Sequence, residues 1–245
     1  MTGAIHPRPT VKICGVTRPE DAALAARLGA DLIGINFWPR SPRWVADPIR
    51  AREIVAAARA TCAPVGAVRV VGVFVNEAPA AIEERIESAG LDLVQLHGDE
   101  PDELLDRFAP RALRALRARA AGAAPVASGG AEVPESHDRN GPHPLQWQSF
   151  EPDRRLVAWI LDAPAGARYG GTGEAWDWSQ ARALVAAAAS PVLIAGGLRP
   201  GLARAALAAS GAAGVDVASG VESAPGVKDA ERMRRLIEEV RVEVG

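Results

Sequence analysis

The feature that most constrains this chain is an alternation. Short apolar runs end at glycine or a polar residue, and most are followed by a segment with helical spacing. The runs are Val11 to Cys14, Asp31 to Phe37, Arg69 to Val75, Leu91 to Leu96, Ala112 to Leu116, Leu156 to Leu161, Pro191 to Ala195 and Gly214 to Ala218. Parallel strands need a crossover between neighbours, and right-handed βα units supply it. Eight such units close a ring, so the sequence predicts an α/β fold, a single (β/α)8 barrel. Its 245 residues, 48% of them apolar, match the size of one such domain.

The intervening segments carry helix signals. Thr17 followed by Glu20 has the spacing of a capping box, and Gly29 closes the helix it would open. Further helices are expected over about Pro48 to Ala60, Pro79 to Ser88 and Pro101 to Phe108. In the last helix Met233, Leu236, Ile237 and Val240 share one face. Residues 1–10 read as a flexible extension and 11–245 as the barrel. Residues 120–155, rich in Gly, Pro, Ser and His, read as an irregular insertion around the fifth helix.

Charge and cysteine content narrow the function. With 28 basic and 30 acidic residues and no long run of one sign, the net charge of −2 gives no footprint for nucleic acid or a membrane surface. No stretch approaches the roughly 20 apolar residues of a membrane span, and the start MTGAIHPRPT has no apolar signal segment. Cys14 and Cys62 alone make neither a disulfide framework nor a metal cluster. A small-molecule enzyme of the cytoplasm, without metal, is the expectation.

Polar residues at the C-terminal ends of barrel strands are the candidates for chemistry. Lys12 and Cys14 share a strand face, as do Gln95 and His97. A lysine beside a thiol favours the thiolate; the same cysteine also suits a buried, inert position. Asp162 ends an apolar strand and suits a general acid, a helix cap or a structural hydrogen bond. Arg43 can grip a carboxylate bidentately, and Asp216 suits an anchor or a sugar hydroxyl contact. Two runs break into glycine, at Gly196–Gly197 and at Ser219–Gly220. Such turns let backbone N–H groups approach a phosphate, with a helix opened by Pro200 adding its dipole. The loop YGGTGEAWDW, residues 169–178, reads as a lid with a helix start at Asp177.

Taken together, VKICGVT, FWPRSPRWV, VGVFVN, LDLVQLHGDE, LDA, YGGTGEAWDW, IAGGLRP and GVDVASGVESAPGVKD closely resemble the phosphoribosylanthranilate isomerase family of tryptophan biosynthesis. The resemblance implies a TIM barrel, acting as monomer or homodimer, that carries out a cofactor-free Amadori rearrangement of a phosphosugar–anthranilate substrate. It implies Cys14 as general base and Asp162 as general acid. Lys12, Arg43, Gln95, His97 and Asp216 become substrate-binding candidates, with Arg43 near the anthranilate carboxylate. Gly196, Gly197, Ser219 and Gly220 become the phosphate site. Three departures stand out: Ala218 where a serine is usual, Arg114 where lysine is common, and the 120–155 insertion.

Overall fold

Parallel pairing around a closed ring organises the chain. The structure is a computed structural model and describes residues 8–61, 66–120, 145–147, 150–151, 154–162 and 177–242. In chain order the strands are β1 (Thr10–Ile13), β2 (Leu32–Asn36), β3 (Arg69–Phe74), β4 (Leu93–Leu96), β5 (Ala112–Ala120), β6 (Leu145–Trp147), β7 (Ala158–Asp162), β8 (Val192–Ile194), β9 (Gly214–Val217), β10 (Glu222–Ala224) and β11 (Val227–Lys228). The helices are α1 (Pro19–Leu28), α2 (Pro48–Arg59), α3 (Pro79–Ala89), α4 (Asp102–Phe108), α5 (Arg182–Ala187), α6 (Ala203–Ser210) and α7 (Ala230–Arg241). The barrel runs β4-β3-β2-β1-β9-β8-β7-β5 and closes through β4–β5. All eight of its neighbour pairings are parallel.

Alternation along the strands divides the interior into layers. Leu32, Val71, Leu93, Leu113, Ala158, Ile160 and Leu193 pack together inside the ring. Their neighbours on the opposite faces, such as Ile33, Val70, Val94 and Val215, pack outward against the helices. The expected face of α7 is buried as predicted: Met233, Leu236, Ile237 and Val240.

Three local expectations change. Thr17 does not cap α1: Arg18 occupies the N-cap without a side-chain cap bond, and Thr17 Oγ1 instead donates to the Gly226 carbonyl at 2.6 Å. The hydroxyl prefers a long-range acceptor to the local turn. Pro200 does not open α6, which starts at Ala203 after a turn containing Gly201 at φ 90°. In the insertion, β5 runs on to Ala120 and pairs antiparallel with β6, Ala118 opposite Trp147 and Ala120 opposite Leu145. The described base of the insertion is thus a regular ribbon, added to strand five. The rest of it lies outside the described residues, as do Cys62 and most of 169–178; Asp177 does cap the helical turn that follows, accepting from the Ser179 amide. At the other end β1 begins at Thr10, and Arg8 pairs with Asp31 at 2.7 Å.

Candidate active site

Every interior polar residue flagged at a strand end lies toward the same mouth. Lys12 and Asp216 are opposite each other across the β1–β9 pairing, and Lys12 Nζ donates to both Asp216 oxygens at 2.9 Å. Burial works against the Lys12 charge, but Asp216 and Cys14 outweigh it, and Lys12 titrates above an ordinary lysine. Cys14 follows β1 directly. An added Cβ on Gly34 of β2 would lie 2.8 Å from Cys14 Sγ and 3.3 Å from Lys12 Nζ. The thiol and ammonium therefore share the space that this glycine leaves open.

The thiol does not behave as Lys12 alone would dictate. Burial pushes it up and Asp216 adds to that; Lys12 and Lys228 pull the other way without reversing it. Cys14 is a weaker acid, and so a stronger base once ionised, than a free cysteine.

Arg43 grips a carboxylate bidentately, and that carboxylate belongs to the protein. Nε and Nη2 donate to Glu222 at 2.8 and 2.7 Å. Its side chain lies across Gly15, where φ is +69° and a Cβ would collide with Arg43 Cδ. Glu222 also receives Lys228 Nζ at 2.8 Å. Glu222 and Lys228, both buried, were not singled out from sequence. They fall in a stretch that reads only as a polar turn, but β10 and β11 form a small hairpin there.

Across the mouth, Asp162 ends β7, and its Oδ2 is 3.4 Å from His97 Nε2. Gln95 Nε2 is 2.7 Å from His97 Nδ1. With the amide donating to Nδ1, the imidazole carries its proton on Nε2 and directs it at Asp162. The HGDE loop bearing His97 is fixed from behind. Glu100 accepts from the Gly98 and Asn76 amides and from Arg114, whose Nη1 lies 2.8 Å from Oε2. Arg114 thus supports this loop.

The glycine turns meet each other between these two groups. Gly196 and Gly197 have φ of 80° and 66°. A Cβ on Gly220 would collide with the Leu198 carbonyl, so the turn after β9 packs directly on the turn after β8. Ser219 begins a short 3-10 turn, Ser219–Val221. The N-terminus of α6 is otherwise engaged: Glu239 of α7 accepts from the Gly201 amide at 2.6 Å and the Arg204 amide at 3.0 Å. The amides at the start of that helix, expected to add their dipole to a phosphate site, are thus committed to Glu239.

Among the described residues no group of three or more His, Cys, Asp or Glu could hold a metal ion, and no helix is long and apolar enough to cross a membrane.

Comparison with known proteins adds an independent line. The family model for N-(5'phosphoribosyl)anthranilate (PRA) isomerase matches residues 11–124 and 143–239, so residues 125–142, within the insertion, fall between the matched segments. N-(5'-phosphoribosyl)anthranilate isomerase of Myxococcus xanthus is 40% identical over 93% of both chains. The crystal structure of phosphoribosyl anthranilate isomerase from Thermotoga maritima covers 95% of this chain and 98% of its own, at 29% identity and a TM-score of 0.70. A phosphoribosyl anthranilate isomerase in complex with reduced 1-(o-carboxyphenylamino)-1-deoxyribulose 5-phosphate is 28% identical over 95% of this chain and 98% of its own, with a TM-score of 0.66. The closed parallel barrel and the match along almost its whole length agree: this chain belongs to the phosphoribosylanthranilate isomerase family, TIM-barrel isomerases of tryptophan biosynthesis.

Proposed function

We propose that the mouth of the barrel converts N-(5-phosphoribosyl)anthranilate to 1-(2-carboxyphenylamino)-1-deoxyribulose 5-phosphate, with Asp162 as general acid and Cys14 as general base. The observation that carries this reading is the order around the ring. Cys14 and Asp162 are at the same end of β1 and β7, and between those strands lie β9 and β8, whose ends bear the glycine turns. A phosphate held by Gly196, Gly197, Ser219 and Gly220 puts the sugar between an acid on one side and a base on the other. That juxtaposition replaces two bimolecular proton transfers by positioned ones.

The steps balance without an external reactant. Asp162 protonates the furanose ring oxygen as the anilino nitrogen lone pair forms a C=N bond and the ring C–O bond breaks. The product is an open-chain iminium. The Cys14 thiolate takes the C2′ proton, and the released pair neutralises the nitrogen, giving an enolamine that tautomerises to the ketose. A cation formed next to Cys14 favours its thiolate at the step that needs it, offsetting the burial that holds the free thiol up. Lys12 and Asp216, a nearly neutral pair, face the sugar hydroxyls. Gln95 and His97 orient the acid.

Arg43 takes the anthranilate carboxylate through the N–H groups that Glu222 leaves free, two on Nη1 and one on Nη2. This is a narrower offer than a free guanidinium would make, and it fixes the direction from which the aromatic end enters.

The test follows the loss of anthranilate-adduct fluorescence in purified protein. Cys14→Ala and Asp162→Asn are each expected to lose roughly 10² to 10⁴ in turnover while still binding the reduced product analogue. No turnover by the folded wild type rejects the activity. Retained turnover in both variants rejects the assignment of acid and base.

A further inference from the structure

The reaction scheme leaves one buried lysine without a task. Lys228 Nζ donates to three acceptors from different parts of the chain: the Cys14 carbonyl at 2.6 Å, the Ala218 carbonyl at 3.1 Å and Glu222 Oε1 at 2.8 Å. An ammonium has three protons to donate, so this set is complete and leaves none for a ligand. Burial pulls Lys228 below the ordinary lysine range in spite of Glu222. A well-packed apolar side chain would often serve stability as well as such a charge does.

What the three contacts join is informative. The Cys14 amide donates to the Val217 carbonyl at 2.8 Å, so both backbone polar groups of Cys14 are held by the last βα unit. Ala218 directly precedes the Ser219–Gly220 turn. The hairpin that carries Lys228 is itself tied to α1 and to the loop after β1. Its Lys228 amide donates to Asp21 at 3.1 Å, and its Gly226 carbonyl accepts from Thr17.

We propose that Lys228 is a positioning residue of the isomerisation: its ammonium clamps the peptide carrying the Cys14 thiol to the Ser219–Gly220 turn, and so fixes the base relative to the sugar phosphate. The inference rests on the reading of Cys14 as base and of that turn as phosphate site. The charges that face the thiol are Lys12 from β1, Asp216 from β9, Lys228 from β11 and Arg43 from the loop after β2. Glu222 from β10 acts through its bonds to Arg43 and Lys228.

The full-length protein carrying Lys228→Met tests this with three readings: kcat, KM, and the pH dependence of iodoacetamide alkylation at Cys14, resolved by peptide mass spectrometry. The expected result is a kcat lower by about 10²-fold, the scale of a small misplacement of a reacting group. KM changes less, and the alkylation curve moves to higher pH. Lys228→Arg keeps the charge in a different shape; it restores the alkylation curve and only part of kcat. Loss of the charge alone moves the alkylation curve, so the clamp is read from kcat above the shifted thiol range: a lysine that merely stabilises the fold would lower the melting temperature and leave that kcat in place. Wild-type kcat in Lys228→Met overturns the clamp, whether or not the alkylation curve moves. If that variant does not fold, Lys228→Gln decides, because its shorter side chain offers two N–H donors where the ammonium makes three bonds: a comparable loss of kcat above the shifted thiol range is expected, and wild-type kcat overturns the proposal. Cys14→Ala is run alongside. Its retention of turnover sinks the base assignment, a failure distinct from that of the clamp.

Discussion

The two ends of β1 are built alike and serve different purposes. Below the strand, Asp31 lies between two arginines: Oδ1 takes Arg8 and Oδ2 takes Arg241, at 2.7 and 2.6 Å, with the Val11 amide on Oδ2 as well. Above it, Glu222 lies between Arg43 and Lys228 at 2.7 and 2.8 Å. Asp31 joins β1 to Arg241 of α7, Glu222 joins the loop after β2 to Lys228 of β11, and each carries one negative charge between two positive ones. They differ in burial and in what they touch. The lower side chains are each about one-fifth exposed, whereas Glu222 is 4% and Lys228 0% exposed. The lower clasp reaches no strand-end candidate; the upper one ends on the Cys14 carbonyl. On the proposed reading of Cys14 as base, the same motif is a staple at the end of the barrel facing away from the site and a frame at the end that holds it.

Substituting the two carboxylates is the sharpest way to break this comparison. Glu222→Gln leaves two buried cations facing a neutral amide. Removing one member of a buried pair costs roughly 3–5 kcal/mol, and loss of the frame is expected to lower kcat/KM by about 10²-fold. Asp31→Asn acts on groups that water already screens, so a loss of about 1–2 kcal/mol is expected, with kcat/KM within about twofold of wild type. Chemical melts and steady-state assays on the two variants decide it. Equal damage to activity from both would mean that the two ends are not functionally distinct.

A smaller effect is expected where the frame is left intact and only the thiol is displaced. Gly34 has no left-handed φ to protect, but a methyl group there meets Cys14 Sγ at 2.8 Å and the Cys14 Cα at 3.2 Å. Gly34→Ala must therefore move the thiol or its strand end. A drop of about tenfold in kcat/KM is expected, with a stability change near 1 kcal/mol. Unchanged kinetics would mean that the base tolerates a shift of this size, and would weaken the case for a rigid frame.

How much of this was legible in the sequence follows the range of the interactions. The eight strands and the placement of Cys14, Asp162, Lys12 and Asp216 toward one mouth follow from period-two alternation and short connections, which are local. Thr17 misled because its capping-box spacing is also local, whereas its observed acceptor, Gly226, is 209 residues away. Glu222 and Lys228 were invisible as functional residues for the same reason: nothing within their own hairpin indicates that Arg43 and Cys14 will fold against it. Glu239 is a further case, since a glutamate on the polar face of α7 gives no hint that it will occupy the N-terminus of α6. The ribbon of β5 and β6 was hidden because residues 120–155 carry turn-forming composition without strand alternation.

The gentlest probe of the comparison is pH, because it titrates the upper carboxylate without changing a side chain. Burial pushes Glu222 up, but the hydrogen bonds from Arg43 and the Lys228 charge prevail, and its pKa lies below the ordinary 4.5. A carboxylate with a folded-state pKa below its unfolded one binds its proton more tightly when unfolded. Its stabilisation is therefore fully present above about 4.5 and fades as pH falls through that value toward the folded-state pKa. Melting temperatures of wild type and Glu222→Gln should differ by a constant amount at neutral pH and converge as the medium is acidified below that point. Each kcal/mol lost corresponds to about 2–4 °C in a domain of this size. Melting curves that stay parallel down to the acid limit would mean that Glu222 contributes no pH-dependent stability, and that the upper cluster is held by packing around its charges more than by the charges themselves.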